Sequence, residues 1–480
     1  MNRIVFSLFL FLIPARLFCQ DKDFKLSPLE TLKAEIYNLQ DDPDIVHGTW
    51  GICVLDIKKD SVIAEYNSGV GLVPASSLKV VTTVAALSTL GENYRYETKI
   101  QYDGTLDTIN GVIYGNLYIL GSGDPTLGSK FFQGEKDTLS LSLKWAMLLR
   151  AKGIRKIEGS VIADPGIFET ESVPDNWTWG DMGNYFGAGP SGLNYRDNQF
   201  RVYYQSGNEG DTARITKTVP ALPGIHMFST VKAGGTKDYA NFYGAPFDNL
   251  RYATGTIPPN KTDFEVDVSM PDPAYCCAYE LDSVLRKNYV SILGKPYSLQ
   301  GPGKSGITDR KHRITLLSEF SPKLSDIVYW TNKKSINLYA ESMLKTMAYK
   351  KTGIGSLNNG TDAVTAFMVT NRIDIHGLHL NDGSGLSRSN AITPRQFVAM
   401  LRIAKRAPFF KAFYKSLPEH SPTVVAKGGY ITRVRSYTGY ATKKNGELLA
   451  FSLIANNYDC LPADMVKKLE KLLDLIGQLN

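Results

Sequence analysis

The 480-residue chain is poor in metal-binding and redox side chains, with five cysteines and six histidines. No two cysteines stand at zinc-type spacing and no histidine pair reads H-E-x-x-H, which argues against a bound metal. No G-x-S-x-G elbow occurs, and Gly383-Ser384-Gly385 lacks that spacing, so an α/β-hydrolase is excluded. No repeat of solenoid period is present. Beyond the N-terminus no stretch approaches ~20 uninterrupted apolar residues, so no later segment reads as transmembrane. The formal charge of +7 is spread along the chain and marks no nucleic-acid patch. The block Lys311-His312-Arg313 reads as a solvated linker face.

What is present describes a globular protein: 43% apolar and 21% charged residues, in a chain long enough for two or three domains. At the N-terminus Arg3 precedes the apolar run Ile4 to Ile13, followed by Pro14, Arg16 and a cleavage point after Cys19. That run has signal-peptide length, so residues 1–19 are expected to be removed on export to the periplasm or cell envelope. Removal takes away two arginines and leaves +5. It also leaves Cys53, Cys276, Cys277 and Cys460. The adjacent pair Cys276-Cys277 cannot bridge to each other without strain and falls in a helical segment, where cysteine packs as a small hydrophobe.

Two strand-like runs, 49–57 and 61–66, flank Lys58-Lys59-Asp60 and predict a hairpin. Pro74 then precedes Ala75-Ser76-Ser77-Leu78-Lys79 and a stretch apolar nearly all round, predicting a buried helix that opens just after the proline. From 92 to 304 short β-rich runs alternate with loops, including the Gly-, Asn- and aromatic-rich stretch Trp177 to Asn198. Helical patterns return at Leu324 to Trp330, Ser335 to Tyr349, Thr361 to Arg372 and Thr393 to Lys405. Two strand-like runs around Lys443-Lys444-Asn445-Gly446 and an amphipathic helix from Pro462 to Leu479 close the chain. The expected organisation is one α/β domain made of 20–91 and 305–480, split by a β-rich insertion of one or two domains at 92–304.

Three short segments can do chemistry. Ser76 and Lys79 stand three apart at a helix start, so an amine can lie within hydrogen-bond reach of a hydroxyl. A serine needs such a base, and burial lowers a lysine pKa enough to serve. Ser335-Ile336-Asn337 can project a hydroxyl and an amide into one cleft. Lys427-Gly428-Gly429-Tyr430 follows the strand-like Thr423-Val424-Val425-Ala426. An edge there can pair with an extended peptide while Lys427 draws its carboxylate. Read singly, each is equally a helix cap or a glycine turn. The S-x-x-K, S-x-N and K-x-G order is the set used by serine β-lactamases and penicillin-binding proteins.

With those motifs in place the chain resembles the class C low-molecular-mass penicillin-binding proteins, the D-alanyl-D-alanine carboxypeptidase/endopeptidase family. Gly123-Asp124-Pro125-Thr126-Leu127, Asp272-Pro273-Ala274, Phe320 to Ile327 and above all Asp382-Gly383-Ser384-Gly385-Leu386-Ser387-Arg388 carry the likeness. The resemblance implies a β-lactamase/transpeptidase-like fold, its sheet flanked by helices. It implies an acyl-enzyme on Ser76, with Lys79 as base, Ser335 and Asn337 as proton relay and positioning groups, and Lys427 as substrate-side cation. Oxyanion donors would be the amides of Ser76 and Tyr430. Expected partners are peptidoglycan stem peptides and β-lactam antibiotics, with no cofactor; a homo-oligomer stays open. One departure stands out: the family carries Lys-Thr-Gly or Lys-Ser-Gly, and Gly428 lacks that hydroxyl. Losing one charge-assisted hydrogen bond to a carboxylate costs about 1.5–3 kcal/mol. Tyr430, Thr432 or Arg433 can substitute, with Arg433 favoured because a guanidinium fork suits a carboxylate. Two alternatives stand beside this reading. One is a non-catalytic wall-binding protein, suggested by Gly428; the other is a serine β-lactamase, whose nearest deacylating carboxylate would be Glu341.

Overall fold

The turn at Lys58-Lys59-Asp60 does close a hairpin: strand β1 (Thr49–Asp56) pairs antiparallel with β2 (Ser61–Tyr66) in the computed structural model, which describes residues 26–132, 140–301 and 310–479. The expected signal segment 1–19 and the 304/305 boundary lie outside the described residues. Ahead of β1 runs helix α1 (Pro28–Gln40), which the sequence reading did not identify. Its start is specified by a capping box between Ser27 and Glu30, with Pro28 in the first turn.

After β2 the chain makes a 3₁₀ turn at Ala75–Leu78 and enters α2 (Lys79–Leu90), buried on all sides from Lys79 to Leu87. The later part supplies α3 (Leu324–Lys333), α4 (Asn337–Thr352), α5 (Leu357–Thr370), α6 (Pro394–Arg406) and α7 (Phe410–Ser416). Strands β3 (Glu419–Ser421), β4 (Val424–Ile431), β5 (Val434–Thr442) and β6 (Leu448–Asn456) and helix α8 (Pro462–Gly477) follow. The strands form one antiparallel sheet in the order β2-β1-β6-β5-β4-β3. The first strand thus lies against the last, in register from Thr49↔Asn456 to Asp56↔Leu449. Helices cover both faces. Leu32 and Ile36 of α1 and Leu469 and Leu472 of α8 pack on Ile52, Phe451 and Leu453. On the other face Val81 and Val84 of α2, Met343 of α4 and Leu401 of α6 meet Cys53, Tyr440 and Ile454. Burial on both sides explains why β1 and β6 read as near-continuous apolar runs.

The insertion is a mixed α/β body with its own core. A five-stranded sheet runs in the order 297–298, 161–164, 117–120, 97–102 and 314–320, backed by helices Leu141–Ala151 and Pro273–Lys287. The strand Ile314–Phe320 pairs with Glu97–Tyr102, so this sheet draws on residues beyond position 304. One expectation is corrected here. Arg313 is no solvated linker residue: it is buried, bonds Asp164 at 2.7 Å and stacks 3.7 Å over the Tyr118 ring. A buried carboxylate needs such a partner, and Asp164 holds Arg310 as well. Cys53, Cys276, Cys277 and Cys460 are free thiols. Among the described residues no helix is long and apolar enough to cross a membrane.

Candidate active site

Ser76 sits on the 3₁₀ turn rather than on α2 itself. Side chains three apart eclipse in a 3₁₀ helix, which sets Ser76 directly over Lys79. Lys79 Nζ donates to Ser76 Oγ at 2.9 Å, to Asn337 Oδ1 at 2.6 Å and to the Ser384 carbonyl at 2.7 Å. All three donor positions of an ammonium are therefore matched by acceptors. The lysine is wholly buried, and burial followed by the nearby Lys427 charge holds its pKa well below the usual lysine range, against opposition from Asp382 and Glu341. A buried amine that loses its proton readily can accept one from a hydroxyl 2.9 Å away.

Backbone placement is controlled from two sides. Ala75, just before Ser76, takes a left-handed φ of 47°. Gly429 of β4 approaches so closely that a Cβ there would lie 2.7 Å from the Pro74 carbonyl and 2.8 Å from the Ser76 nitrogen. Only glycine fits. Ser77 Oγ donates to the Lys427 carbonyl at 3.2 Å and shares a 2.7 Å bond with Ser436 Oγ on β5, tying the turn to the sheet.

Asn337 is the first residue of α4, and its amide is fixed at both ends, since Nδ2 donates to the Phe186 carbonyl of the insertion at 2.8 Å. Ser335 is not on the helix; it lies in the connection before it, with φ 57°. It lines the same cleft as Ser76, about 440 Å³, walled also by Asp181, Tyr185 and Phe186 of the insertion and by Arg388, Tyr430 and Thr432. Lys427 is not among the residues that line this cleft. It is 3% exposed, bonds the Gly428 carbonyl, and burial pushes its pKa down to about 7.

Arg433, the residue expected to replace the missing hydroxyl, does not line the cleft. That residue occupies the β4–β5 turn with φ 60° and is held by Asp459 at 3.1 Å and the Tyr458 carbonyl at 3.2 Å. The left-handed turn directs it toward the loop after β6. The arginine that reaches the cleft is Arg388, from the Asp382 to Arg388 segment, with Nη1 donating to the Thr432 carbonyl. Tyr430 and Thr432 do line the cleft, whereas Gly428 faces the Tyr437 ring, which a Cβ would meet at 3.4 Å.

Two groups escaped the sequence reading in their observed role. The Glu341 carboxylate is buried and accepts from Gly383 N at 3.0 Å and from Ser384 N at 2.7 Å; burial and then Asp382 raise its pKa to about 7. Asp382 gathers Gly385 N, Ser387 N, Asn390 Nδ2 and Trp177 Nε1, the last from the insertion. These two acids shape the loop whose Ser384 carbonyl holds Lys79. The signal available was a lone acid, Glu341, in the wholly buried stretch Asn337 to Ala348. No group of three metal-ligating side chains occurs among the described residues.

An amine, a hydroxyl and a positioning amide beneath a peptide-sized cleft, on a helix-flanked antiparallel sheet, define a serine acyl-transfer enzyme of the transpeptidase-like class. Residues 32–476 match the D-Ala-D-Ala carboxypeptidase 3 (S13) family, and the chain belongs to that family. It is a serine-type D-Ala-D-Ala peptidase. It is 26% identical over 460 residues to a D-alanyl-D-alanine carboxypeptidase of an Actinomadura species, covering 90% of this chain and 82% of that one. It is 27% identical over 432 residues to the D-alanyl-D-alanine carboxypeptidase DacB of Haemophilus influenzae, with 85% of each covered. The crystal structure of penicillin binding protein 4 from H. influenzae shares the fold, with a TM-score of 0.76 at 24% identity over 95% of this chain and 100% of that one.

Proposed function

We propose that Ser76 Oγ attacks the carbonyl of the penultimate residue in a peptidoglycan stem peptide ending in D-Ala-D-Ala. Lys79 takes the hydroxyl proton as a free amine, and an ester to Ser76 forms while the C–N bond to the leaving residue breaks. Ser335 passes a proton to the departing amine; water then hydrolyses the ester and restores Ser76. Asn337 orients Lys79, Lys427 attracts the terminal carboxylate, and the amides of Ser76 and Tyr430 receive the oxyanion. When the leaving amine belongs to a cross-linked neighbour, the same steps make an endopeptidase. A β-lactam acylates Ser76 through its strained amide, in keeping with the β-lactam complex of the H. influenzae penicillin binding protein 4. The work lies outside the cytoplasm, so we place the mature chain in the periplasm or cell envelope after loss of residues 1–19. Because Ile314–Phe320 completes the sheet begun at Glu97, we extend the inserted part to about residue 320.

The observation that carries this reading is the 2.9 Å contact between a buried lysine amine and Ser76 Oγ. Glu341, the acid a β-lactamase reading would need, is occupied by Gly383 and Ser384. The test is intact-mass analysis after benzylpenicillin, with Ser76→Ala as control, followed by D-alanine release from a D-Ala-D-Ala peptide. A lasting adduct on the wild type alone is expected. An adduct that persists on Ser76→Ala overturns the assignment.

A further inference from the structure

Away from the catalytic groups, the insertion displays aromatic rings in single file. Strands 226–229, 250–254 and 241–243 form a three-stranded sheet with 250–254 in the centre. One face is buried through Phe242, Arg251 and Ala253. Residues paired across strands project to the same side. Phe228 pairs with Tyr252, and Tyr252 with Tyr243, so all three rings stand on the opposite face. Phe228 stacks on Tyr252 with centroids 5.8 Å apart, and Tyr243 stacks on Trp179 at 6.0 Å, both pairs tilted by less than 30°. Phe228 is 60% exposed, Tyr252 46% and Trp179 51%. The inner end of this row, Trp179, stands two residues from the cleft wall. Trp179 opens the short helix Trp179–Met182, whose Asp181 lines the cleft with Tyr185, another exposed ring.

Contiguous apolar surface left in water marks a binding site more often than an accident. The shape of this one selects among occupants. A stable protein interface buries about 800 Å² per partner over a broad patch. Here a line one ring wide is edged by the exposed polar residues His226 and Thr254 of the same strands. A polysaccharide suits that shape, because each pyranose offers a flat C–H face to an aromatic ring and turns its hydroxyls outward. We propose that the row Phe228–Tyr252–Tyr243–Trp179 is a stacking platform for the glycan strand of peptidoglycan, leading from the cleft that takes the attached stem peptide. This rests on the peptidase function proposed above, and it gives the insertion a role in presenting polymeric substrate.

The test uses the full-length protein and the double variant Phe228→Ala/Tyr252→Ala, whose rings lie outside the cleft and the core. Three readings are taken: turnover of a short D-Ala-D-Ala peptide, turnover of intact sacculi, and co-sedimentation with glycan strands stripped of their peptides. Expected are unchanged peptide turnover, roughly tenfold weaker sedimentation per ring removed, equal to about 1.4 kcal/mol, and a matching loss on sacculi. The proposal is overturned if wild-type protein does not sediment with the stripped glycan, or if sacculi and short peptide lose turnover equally. It is also overturned if the double variant changes the oligomeric state in solution while glycan sedimentation stays the same, since the row would then be a self-association surface. Failure of Ser76 to acylate would refute the peptidase reading and leave the sedimentation result standing.

Discussion

Glu341→Gln isolates the link between a buried acid and the Lys79 amine. In the wild type Gly383 N–H donates to both carboxylate oxygens and Ser384 N–H to one of them. Glutamine can keep the Oε1 acceptor that both amides share, but its buried N–H₂ group then faces Gly383 N–H with no acceptor of its own, at a cost of about 1–3 kcal/mol. The strain falls on the loop whose Ser384 carbonyl holds Lys79 Nζ at 2.7 Å. If about 1.4 kcal/mol of it reaches the transition state, acylation slows roughly tenfold. Loss of the acid's charge would also lower the lysine pKa. Burial and Lys427 already hold that amine far down, so little extra free base is gained. The effect depends on pH, because burial raises the Glu341 pKa to about 7. Below that value the wild type carries a proton on this carboxyl and resembles the variant; above it the carboxylate accepts fully. Second-order acylation by benzylpenicillin, followed from pH 5 to 9, should therefore coincide for the two proteins on the acid side and separate about tenfold above pH 8. Stability has the opposite slope. A carboxyl raised from 4.5 to about 7 on folding contributes stability below pH 4.5 that is lost as pH rises through 7, and the variant lacks that loss. A constant ratio of rates at all pH values, with only the melting temperature altered, would show that Glu341 merely fills space.

Three further outcomes follow from the same geometry. Gly429→Ala places a Cβ 2.8 Å from Ser76 N, and the shift of Ser76 should cut acylation at least about a hundredfold; near-normal penicillin binding would contradict the close approach. Lys427→Met should abolish turnover of peptides with a free carboxylate yet raise thermal stability at pH 6. An amine lowered to about 7 carries its full stability cost below that pH, and the cost is relieved as pH rises from 7 to 10.5. A melting temperature that falls at pH 6 would oppose this account. Arg433→Ala removes only an exposed pair with Asp459, worth under about 1 kcal/mol. Its activity on free and amidated peptides should match wild type, and a selective loss on the free carboxylate would restore the role first expected of it.

Local features of the sequence were legible because local forces set them. The β1–β2 hairpin, the buried α2 and the β5–β6 hairpin each follow from apolar periodicity and turn residues within a dozen positions. The spacing of Ser76 and Lys79 likewise survives the change from α-helix to 3₁₀ turn, since side chains three apart share a face in both. The position of Arg433 was not legible for the complementary reason: its direction depends on a left-handed turn and on Asp459, a partner 26 positions away that no spacing rule links to it. Helix α1 has a readable capping box at Ser27 and Glu30, but its buried face is only Leu32, Ile36 and Leu39, a weak periodic signal.

The least legible part is the environment that makes the chemistry possible. A free lysine base requires burial, and burial of Lys79 is the joint product of α2, the Asp382 to Arg388 loop and α4, brought together over some 300 positions of sequence. The insertion belongs to that environment as well. Phe186 holds the amide of Asn337, and Trp177 holds Asp382, so each side of the lysine's acceptor cage leans on a residue from the inserted body. The Gly-, Asn- and aromatic-rich stretch from Trp177 to Asn198 looks like an ordinary loop by composition. Its place in the site comes from two hydrogen bonds that only the folded chain creates, and through them the inserted part buttresses the groups around Lys79 as well as the shape of the cleft.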